Sequence, residues 1–366
     1  MDKSMRIAIL TFGGHAYYPH LLVRSLLSFK YTWRVFAPDI QQDEYRNIIG
    51  NTENIIFYPK PRMRHLQNIS VMRNLIESLE EFQPDLVHLL AYYPWLTPFS
   101  KRLEKFKLIL TVHDPRKHKG DIASKIVPGS EKFFFQKATH IITLGRQMRQ
   151  EIIRIGNVVP DKISVVSHGN YNIYNEWIQP GTEVQPNRIL FFGRLYAYKG
   201  LEYLIQAAPL ISQHIPDAQF VIAGEGKNSY SRNVLKKVAG NKQFRVYNEY
   251  ISDHLAAQLF QESSLLVLPY IDASQSGPLM MSYAFKKPVV ATDVGSLPEY
   301  VDHGQTGFLV PPKNSVALAD KIICLLKDNG LRAKMGMAGY HKSVTDFAWE
   351  KIAQETLNVY RRALDI

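Results

Sequence analysis

Short apolar runs alternate along the chain with longer stretches in which apolar residues recur every three to four positions. In the first half the runs are Arg6–Phe12, Trp33–Ala37, Ile55–Tyr58, Leu86–Leu90, Leu108–His113, His140–Thr143 and Ile163–Ser167. The helical patterns between them include Pro19–Phe29, Asn68–Phe82, Glu131–Ala138 and Arg146–Ile155. Continuous apolar runs suit strands covered on both faces, and strand–helix alternation predicts a parallel sheet. Between Asn170 and Asn187 the pattern lapses into Asn, Tyr and Gln with Pro180-Gly181 and Pro186, which reads as a linker. The alternation then restarts with strands at Ile189–Phe192, Gln219–Ala223, Phe244–Tyr247, Leu265–Pro269, Val289–Thr292 and Gly307–Val310. Helices are expected at Leu201–His214, Tyr230–Val238, His254–Gln261, Pro278–Phe285, Val316–Lys327, Arg332–Ser343 and Asp346–Ala363. Asn329-Gly330 reads as a C-cap for the helix ending at Lys327.

The fold class expected is α/β, with two Rossmann-like doubly wound domains in tandem. The boundaries are a first domain over 1–170, a linker over 171–187, a second domain over 188–345 and a closing helix over 346–366. A length of 366 residues suits two domains, and 46% hydrophobic with 21% charged residues is a globular balance and excludes disorder. The single cysteine, Cys324, lies among Ile322, Ile323, Leu325 and Leu326 and reads as a core filler. A chain without an internal disulfide points to a reducing cytoplasmic compartment. Met5–Phe12 is too short for a signal-peptide core, and no apolar run reaches the roughly 20 residues of a membrane span.

Charge changes the picture more. Of the net +11, +8 falls in residues 1–180 and +3 in 181–366. The clusters include Arg62/Arg64, Lys101-Arg102 with Lys105 and Lys107, Arg116-Lys117 with Lys119, and Arg146/Arg149/Arg154. Such an excess suits a phosphate-rich partner: an anionic membrane surface, a lipid-phosphate acceptor or a nucleic acid. The alternative is a solvated basic face without a partner; no nucleic-acid module is visible, and among partners a membrane surface, with a peripheral position on its inner face, is favoured.

In doubly wound sheets ligands lie beyond the carboxyl ends of the strands, so the strand-to-helix turns are searched for chemistry. After the first strand, Gly13-Gly14-His15 lets backbone N–H groups approach a phosphate; the alternative is a tight turn without a ligand. His113-Asp114 follows another strand and suits a substrate hydroxyl, or else only stabilises its loop. In the second half, Gly193-Arg194 to Lys199-Gly200 puts two cations in one turn, where the charge of a departing diphosphate would be met. The stretch Pro269 to Pro278 ends in Ser276-Gly277-Pro278, a helix start whose N–H groups form a second anion-holding element. Glu299, in the turn after Val289–Thr292, contacts a donor or caps its helix.

Together these segments resemble the retaining glycosyltransferases of family four, which have the GT-B fold. The residues that carry the resemblance are Phe191-Phe192-Gly193-Arg194, Lys199-Gly200, Ala223-Gly224-Glu225-Gly226, Lys287 to Thr292, Gly295, Pro298-Glu299, Gly304 and Thr306 to Val310. The resemblance implies two domains facing a central cleft, with the closing helix crossing back onto the first domain. It assigns the donor diphosphate to Arg194 and Lys199, and matches His113 to a histidine beside the transferred sugar. Donor contacts are then expected at Gly13, Gly14, Gly193, Gly224, Gln275, Ser276, Gly277, Pro278 and Glu299, with the base near Tyr250 and Ile251. His15 and Asp114 fall on the acceptor side. One departure stands out: the two glutamates usual in the family are replaced by Ala273 and Met281, as in a variant branch with Ser-Gln-Ser-Gly at 274–277. The sugar-holding role then passes to Gln275 or Ser276, or the chain is an inactive or altered-specificity homologue.

The expected activity is hexosyl transfer, with retention, from a nucleotide-diphosphate sugar to a glycan, lipid-linked or small-molecule acceptor. No Asp-x-Asp motif is present, so neither metal nor other cofactor is expected. The alternatives are a non-catalytic nucleotide-sugar-binding homologue and a nucleotide-sugar epimerase. A dinucleotide oxidoreductase is disfavoured because no G-x-G-x-x-G follows the first strand.

Overall fold

The computed structural model describes residues 5–13, 17–115 and 130–366. The described residues up to Gly169, with Ala348–Ile366, make one compact unit, and Asn170–Phe347 make the second.

The first unit is built on seven parallel strands: β1 (Arg6–Leu10), β2 (Thr32–Pro38), β3 (Ile55–Tyr58), β4 (Leu86–Leu89), β5 (Lys107–Val112), β6 (His140–Thr143) and β7 (Ile163–Val165). Their order across the sheet is β3-β2-β1-β4-β5-β6-β7. The second unit has β8 (Arg188–Phe192), β9 (Gln219–Ala223), β10 (Phe244–Tyr247), β11 (Leu265–Leu268), β12 (Val289–Thr292) and β13 (Gly307–Val310), ordered β10-β9-β8-β11-β12-β13. Each sheet reverses its direction of winding once, between β1 and β4 and between β8 and β11. The expected pair of doubly wound α/β sheets is therefore observed. Strands β4, β6, β11 and β12 are buried at every position, which is why their sequences are apolar or nearly so, with β11 wholly apolar.

The last helix, Trp349–Leu364, is amphipathic. Its buried positions Trp349, Ile352, Ala353, Thr356, Leu357, Tyr360 and Ala363 recur at helical spacing. They pack on the helix Tyr18–Leu26 and on β5 and β6 of the first unit. A polar network holds the helix there: the Tyr360 hydroxyl lies 2.6 Å from His88 Nδ1, and His88 Nε2 lies 2.7 Å from Thr111 Oγ1. Burial pushes the His88 imidazole down to about 3, so the ring is neutral.

Several sequence expectations are corrected. The closing helix begins at Trp349 rather than Asp346, because Ala348 is extended (φ −62°, ψ 135°). Phe347 packs on Tyr300 in the second unit, at 5.1 Å between ring centroids, whereas Trp349 packs on Tyr18 in the first, at 5.4 Å. Asn329-Gly330 does not cap the preceding helix. It opens the next one, Asn329–Thr345, whose N-cap Asp328 accepts a hydrogen bond from Leu331 N–H at 2.8 Å. Cys324 is exposed, since the buried face of its helix runs through Leu318, Ala319, Ile322, Leu325 and Leu326. A polar helix, Gln42–Ile49, escaped the periodicity search because only Tyr45 of it is buried. The stretch read as a linker is packed in its first part: Tyr171, Ile173 and Tyr174 are buried, and the turn Asn172–Trp177 lies against the helices Asp253–Glu262 and Gly277–Ala284.

Among the described residues no helix is long and apolar enough to cross a membrane.

Candidate functional site

In the second unit, the turns after β8, β9, β11 and β12 interlock at the carboxyl edge of the sheet. Glycines make this possible. Gly200 has φ +62°, and a Cβ there would meet the Pro269 carbonyl oxygen at 1.9 Å. Gly295 has φ +58°, and its Cβ would meet the Ala273 carbonyl oxygen at 1.6 Å. The loop 269–278 is thus clamped on one side by the turn after β8 and on the other by the turn after β12.

That clamp brings together two of the expected anion-holding elements. Lys199 is buried, with its Nζ 3.8 Å from the centroid of the Tyr270 ring. The Tyr270 hydroxyl lies 3.4 Å from Ser276 Oγ, and burial raises the pKa of the phenol, which stays neutral. Ser276 is the N-cap of the helix Gly277–Ala284, with Pro278 in its first turn and no side-chain cap bond. Backbone N–H groups at such an end are unsatisfied and carry the positive end of the helix dipole. A cation on an aromatic face and a helix start therefore adjoin through Tyr270. Arg194, from the same turn as Lys199, is exposed and lies over the Tyr196 ring at 5.0 Å.

Gln275 precedes the helix start, and its Oε1 is shut off from water with no hydrogen-bond partner. Ser296 Oγ, next to Gly295, is likewise enclosed and unpaired. An unmet buried acceptor costs about 1–3 kcal/mol, so two of them mark a place where a hydroxylated ligand would be welcome. Ala273 and Met281, where the resemblance would expect glutamates, are both buried.

The remaining expected residues are less gathered. Gly193 and Gly224 pack on each other: a Cβ on Gly224 would lie 2.2 Å from the Gly193 carbonyl oxygen. Gly193 also runs beside Pro278, whose Cγ would lie 3.7 Å from a Cβ placed on it. Glu299 is half-buried in the short helix Leu297–Tyr300. Ile251 is half-buried, while the Tyr250 side chain is 82% exposed. Their loop is tied to the turn after β9 by Gly226 N–H donating to Asn248 Oδ1 at 2.8 Å.

In the first unit, His113 is buried at the end of β5. Its Nε2–H donates to the Leu90 carbonyl at 2.8 Å. The ring meets Tyr18 edge-on, at 4.7 Å and 89°. Tyr18 in turn touches His168 at 5.1 Å, and burial holds the His168 imidazole down at about 4. Asp114 is exposed. Gly13 has φ +73° beyond β1, and Gly14 and His15 lie outside the described residues.

Sequence reasoning missed Tyr270, Tyr171 and Ser296. Tyr171 is buried, and a Cβ on Gly277 would lie 3.1 Å from its ring, so a residue of the apparent linker backs the helix start. Only its aromatic character in a polar stretch could have signalled this.

Two family models match the chain: Glycosyltransferase Family 4 over residues 12–169 and Glycosyl transferases group 1 over residues 186–328. An uncharacterized glycosyltransferase of Methanocaldococcus jannaschii is 24% identical over 393 residues, covering 99% of both chains. The alpha-D-kanosaminyltransferase of Streptomyces kanamyceticus is 24% identical over 74% of each chain. Among solved structures, a glycosyltransferase of Rickettsia africae superposes with TM-score 0.77 at 18% identity, covering 100% of this chain and 99% of that one. The Anabaena protein HepE, in complex with UDP-glucose, superposes with TM-score 0.76 at 15% identity, covering 98% and 100%.

Proposed function

We propose that this chain, which belongs to the GT-B glycosyltransferases of family 4 and group 1, moves a hexosyl group with retention from a nucleotide-diphosphate sugar to a hydroxyl acceptor. The observation that carries the proposal is the meeting of Lys199, Tyr270 and the Ser276-Gly277 helix start in the second unit. HepE, which superposes over nearly the whole chain, was solved with UDP-glucose, which supports a donor of that class.

In this reading the bond from the anomeric carbon to the diphosphate oxygen breaks first, giving an ion-pair-like state. The acceptor oxygen bonds to the same face of the sugar, and its proton passes to the departing diphosphate oxygen. Lys199, Arg194 and the N–H groups of 276–277 stabilise the charge that builds on that oxygen. Gln275 Oε1 accepts a hydrogen bond from a sugar hydroxyl, taking over from the glutamates absent at 273 and 281. Gly193, Gly224, Pro278 and Glu299 complete the donor contacts, and Ile251 with the backbone at Tyr250 takes the base. His113, Asp114, Gly13, Gly14 and His15 are assigned to the transferred sugar and the acceptor. The charge of the leaving group is met by the chain's own cations, so the proposal includes no metal. The basic first half suits an acceptor presented at an anionic membrane surface on the cytoplasmic side.

The test is the double variant Arg194→Ala/Lys199→Met. Its transfer rate should fall by at least about 10²-fold with the fold retained. A folded double variant with the wild-type rate would sink the proposal. A second reading, a non-catalytic nucleotide-sugar-binding homologue, is favoured by Ala273 and Met281 alone. Calorimetry that shows nucleotide binding in a chain that transfers no labelled sugar would select it.

A further inference from the structure

His140 opens β6, and Ser164 lies on β7, the edge strand of the first unit's sheet. Ser164 is in register with Ile142, two residues beyond His140, so the two side chains stand on one face of the sheet. His140 Nε2 lies 2.9 Å from Ser164 Oγ. Arg362, in the last turn of the closing helix, donates to the same oxygen through Nη1 at 3.4 Å. One half-buried hydroxyl thus joins two strands and the C-terminal helix at the open side of the sheet.

The charges that act on this cluster are of one sign. Burial lowers the His140 pKa first, and the positive charges of Arg362 and Lys162 lower it further; no carboxylate opposes them. The acidic groups of the surrounding elements face other partners. Asp365 pairs with Lys107 of β5 at 3.8 Å, Glu151 with Arg154 at 2.5 Å and Glu104 with Lys137 at 2.5 Å. Glu355, on the closing helix, lies beside Lys351. Asp161 is exposed and forms no ion pair among the described residues. Arg149 spends its guanidinium on the Ile163 and Pro160 carbonyls. Lys162, two residues before Ser164, gives one of its three protons to the Gln136 carbonyl at 3.1 Å. Arg362 is exposed and has no carboxylate partner among the described residues.

We propose that Ser164, Arg362 and Lys162 bind a phosphate group, and that His140 takes up a proton as they do. While the imidazole is neutral, the Ser164 hydroxyl donates to Nε2 and accepts from Arg362. Once the ring is protonated, Nε2–H donates to Ser164 Oγ, and the hydroxyl proton turns to a phosphate oxygen beside the two fixed cations. A purely structural tie, with Arg362 offsetting the dipole of its helix, accounts for the Arg362 bond. It leaves unexplained a buried imidazole set among like charges with no carboxylate to balance them. The same chemistry has two sources, a dissolved phosphate and the headgroup of a phospholipid. None of the four residues belongs to the donor or acceptor contacts of the proposed transferase, so the two stand or fall separately.

The experiment titrates the full chain by calorimetry with sulfate, a tetrahedral dianion whose charge does not change near neutral pH, and then with inorganic phosphate. Sulfate should bind with a Kd on the order of 1 mM at about pH 6 and about tenfold more weakly at about pH 8. Buffers of different ionisation enthalpy should show proton uptake on binding at the lower pH. Arg362→Gln and Lys162→Gln should each weaken the anion by about tenfold, and Arg362→Lys should retain most of the binding. Lys162→Gln keeps the test open if Arg362→Gln fails to fold. His140→Gln retains a hydrogen-bonding side chain and should abolish the proton uptake and the pH dependence together. Added phosphate should raise the wild-type Tm more than that of Arg362→Gln, a difference that a structural tie does not produce. Vesicles of phosphatidic acid and of phosphatidylcholine separate the sources. Retention on phosphatidic acid that is lost in Lys162→Gln places a lipid headgroup there, and phosphate binding without such retention places a dissolved phosphate. A wild type that binds neither anion nor phosphatidic acid overturns the site, as do folded variants that bind as the wild type does. Proton uptake that persists in His140→Gln overturns the part given to His140.

Discussion

Replacing Gly295 with alanine asks whether the turn after β12 positions the loop that carries Gln275 and Ser276. The new Cβ would stand 1.6 Å from the Ala273 carbonyl oxygen, where contacts in real proteins stay above 3.0 Å. About 1.4 Å of separation is therefore needed between the two loops. The backbone adds its own penalty, because φ is +58° and an L-residue in the left-handed region costs about 1–2 kcal/mol. Overpacking of a well-filled site adds about 1–3 kcal/mol. The protein should lose roughly 2–5 kcal/mol of stability, a fall in Tm of roughly 4–20 °C for a unit of this size. Whatever strain is relieved by movement displaces Gln275, two residues from Ala273. A misplacement near 1 Å costs up to about 10²-fold in rate, so kcat/KM for transfer should fall well beyond what the folded fraction explains. Differential scanning calorimetry and initial-rate kinetics on the same preparation separate the two effects. A Gly295→Ala protein with wild-type Tm and wild-type kcat/KM would refute the interlock, and with it the positioning of Gln275.

Tyr360→Phe removes the hydroxyl at His88 Nδ1 and leaves a buried ring nitrogen unpaired, at a cost of about 1–3 kcal/mol in denaturant unfolding. Combined with Thr111→Val, which strips the other nitrogen, the losses should be non-additive; strict additivity would show that the three groups do not act as one network. Acid should destabilise the first unit. His88 and His168 have folded pKa values of about 3 and about 4, below the 6.5 of an exposed imidazole, so below pH 6.5 the unfolded chain binds more protons. The stability they allow is whole above pH 6.5 and erodes as pH falls towards 4 and then 3, by about 2 kcal/mol for each histidine at pH 5. A stability flat between pH 7 and pH 5 would contradict their burial as neutral rings. Cys324 should react with a thiol reagent in the native protein, one equivalent without denaturant and without loss of activity; a thiol that reacts only after unfolding would restore the buried assignment.

The two sheets were legible in the sequence because both faces of their inner strands are covered. A run such as Leu265–Leu268 then has no polar position to disguise it. The turn that carries Lys199 and the helix start at Ser276-Gly277-Pro278 were legible because each lies within one local stretch of sequence. What failed was whatever depends on a choice between local alternatives or on distant residues. Asn329-Gly330 can end a helix or begin one, and the Asp328 carboxylate decided it. Tyr171 looked like linker because the glycine it backs lies over a hundred residues away. Cys324 sits among apolar neighbours in the sequence, but helical rotation turns it outward. The cluster of His140, Lys162, Ser164 and Arg362 had no sequence signature, since Arg362 comes to Ser164 from 198 residues away.

The helix Trp349–Leu364 has a consequence for how the protein is made. Its partners lie far upstream: the His88–Tyr360 bond spans 272 residues and the Tyr31–Arg361 bond spans 330. Among the described residues the second unit is one uninterrupted segment, complete once Phe347 has emerged from the ribosome. The first unit, synthesised earlier, must wait. At about 5–20 residues per second the interval after Gly169 is roughly ten to forty seconds. Through that time the apolar surface on Tyr18–Leu26, β5 and β6 lacks its cover, and is open to chaperones or to a neighbouring chain on the same messenger. The part of the protein translated first is the part finished last, and a premature stop near residue 347 would spare the second unit while condemning the first.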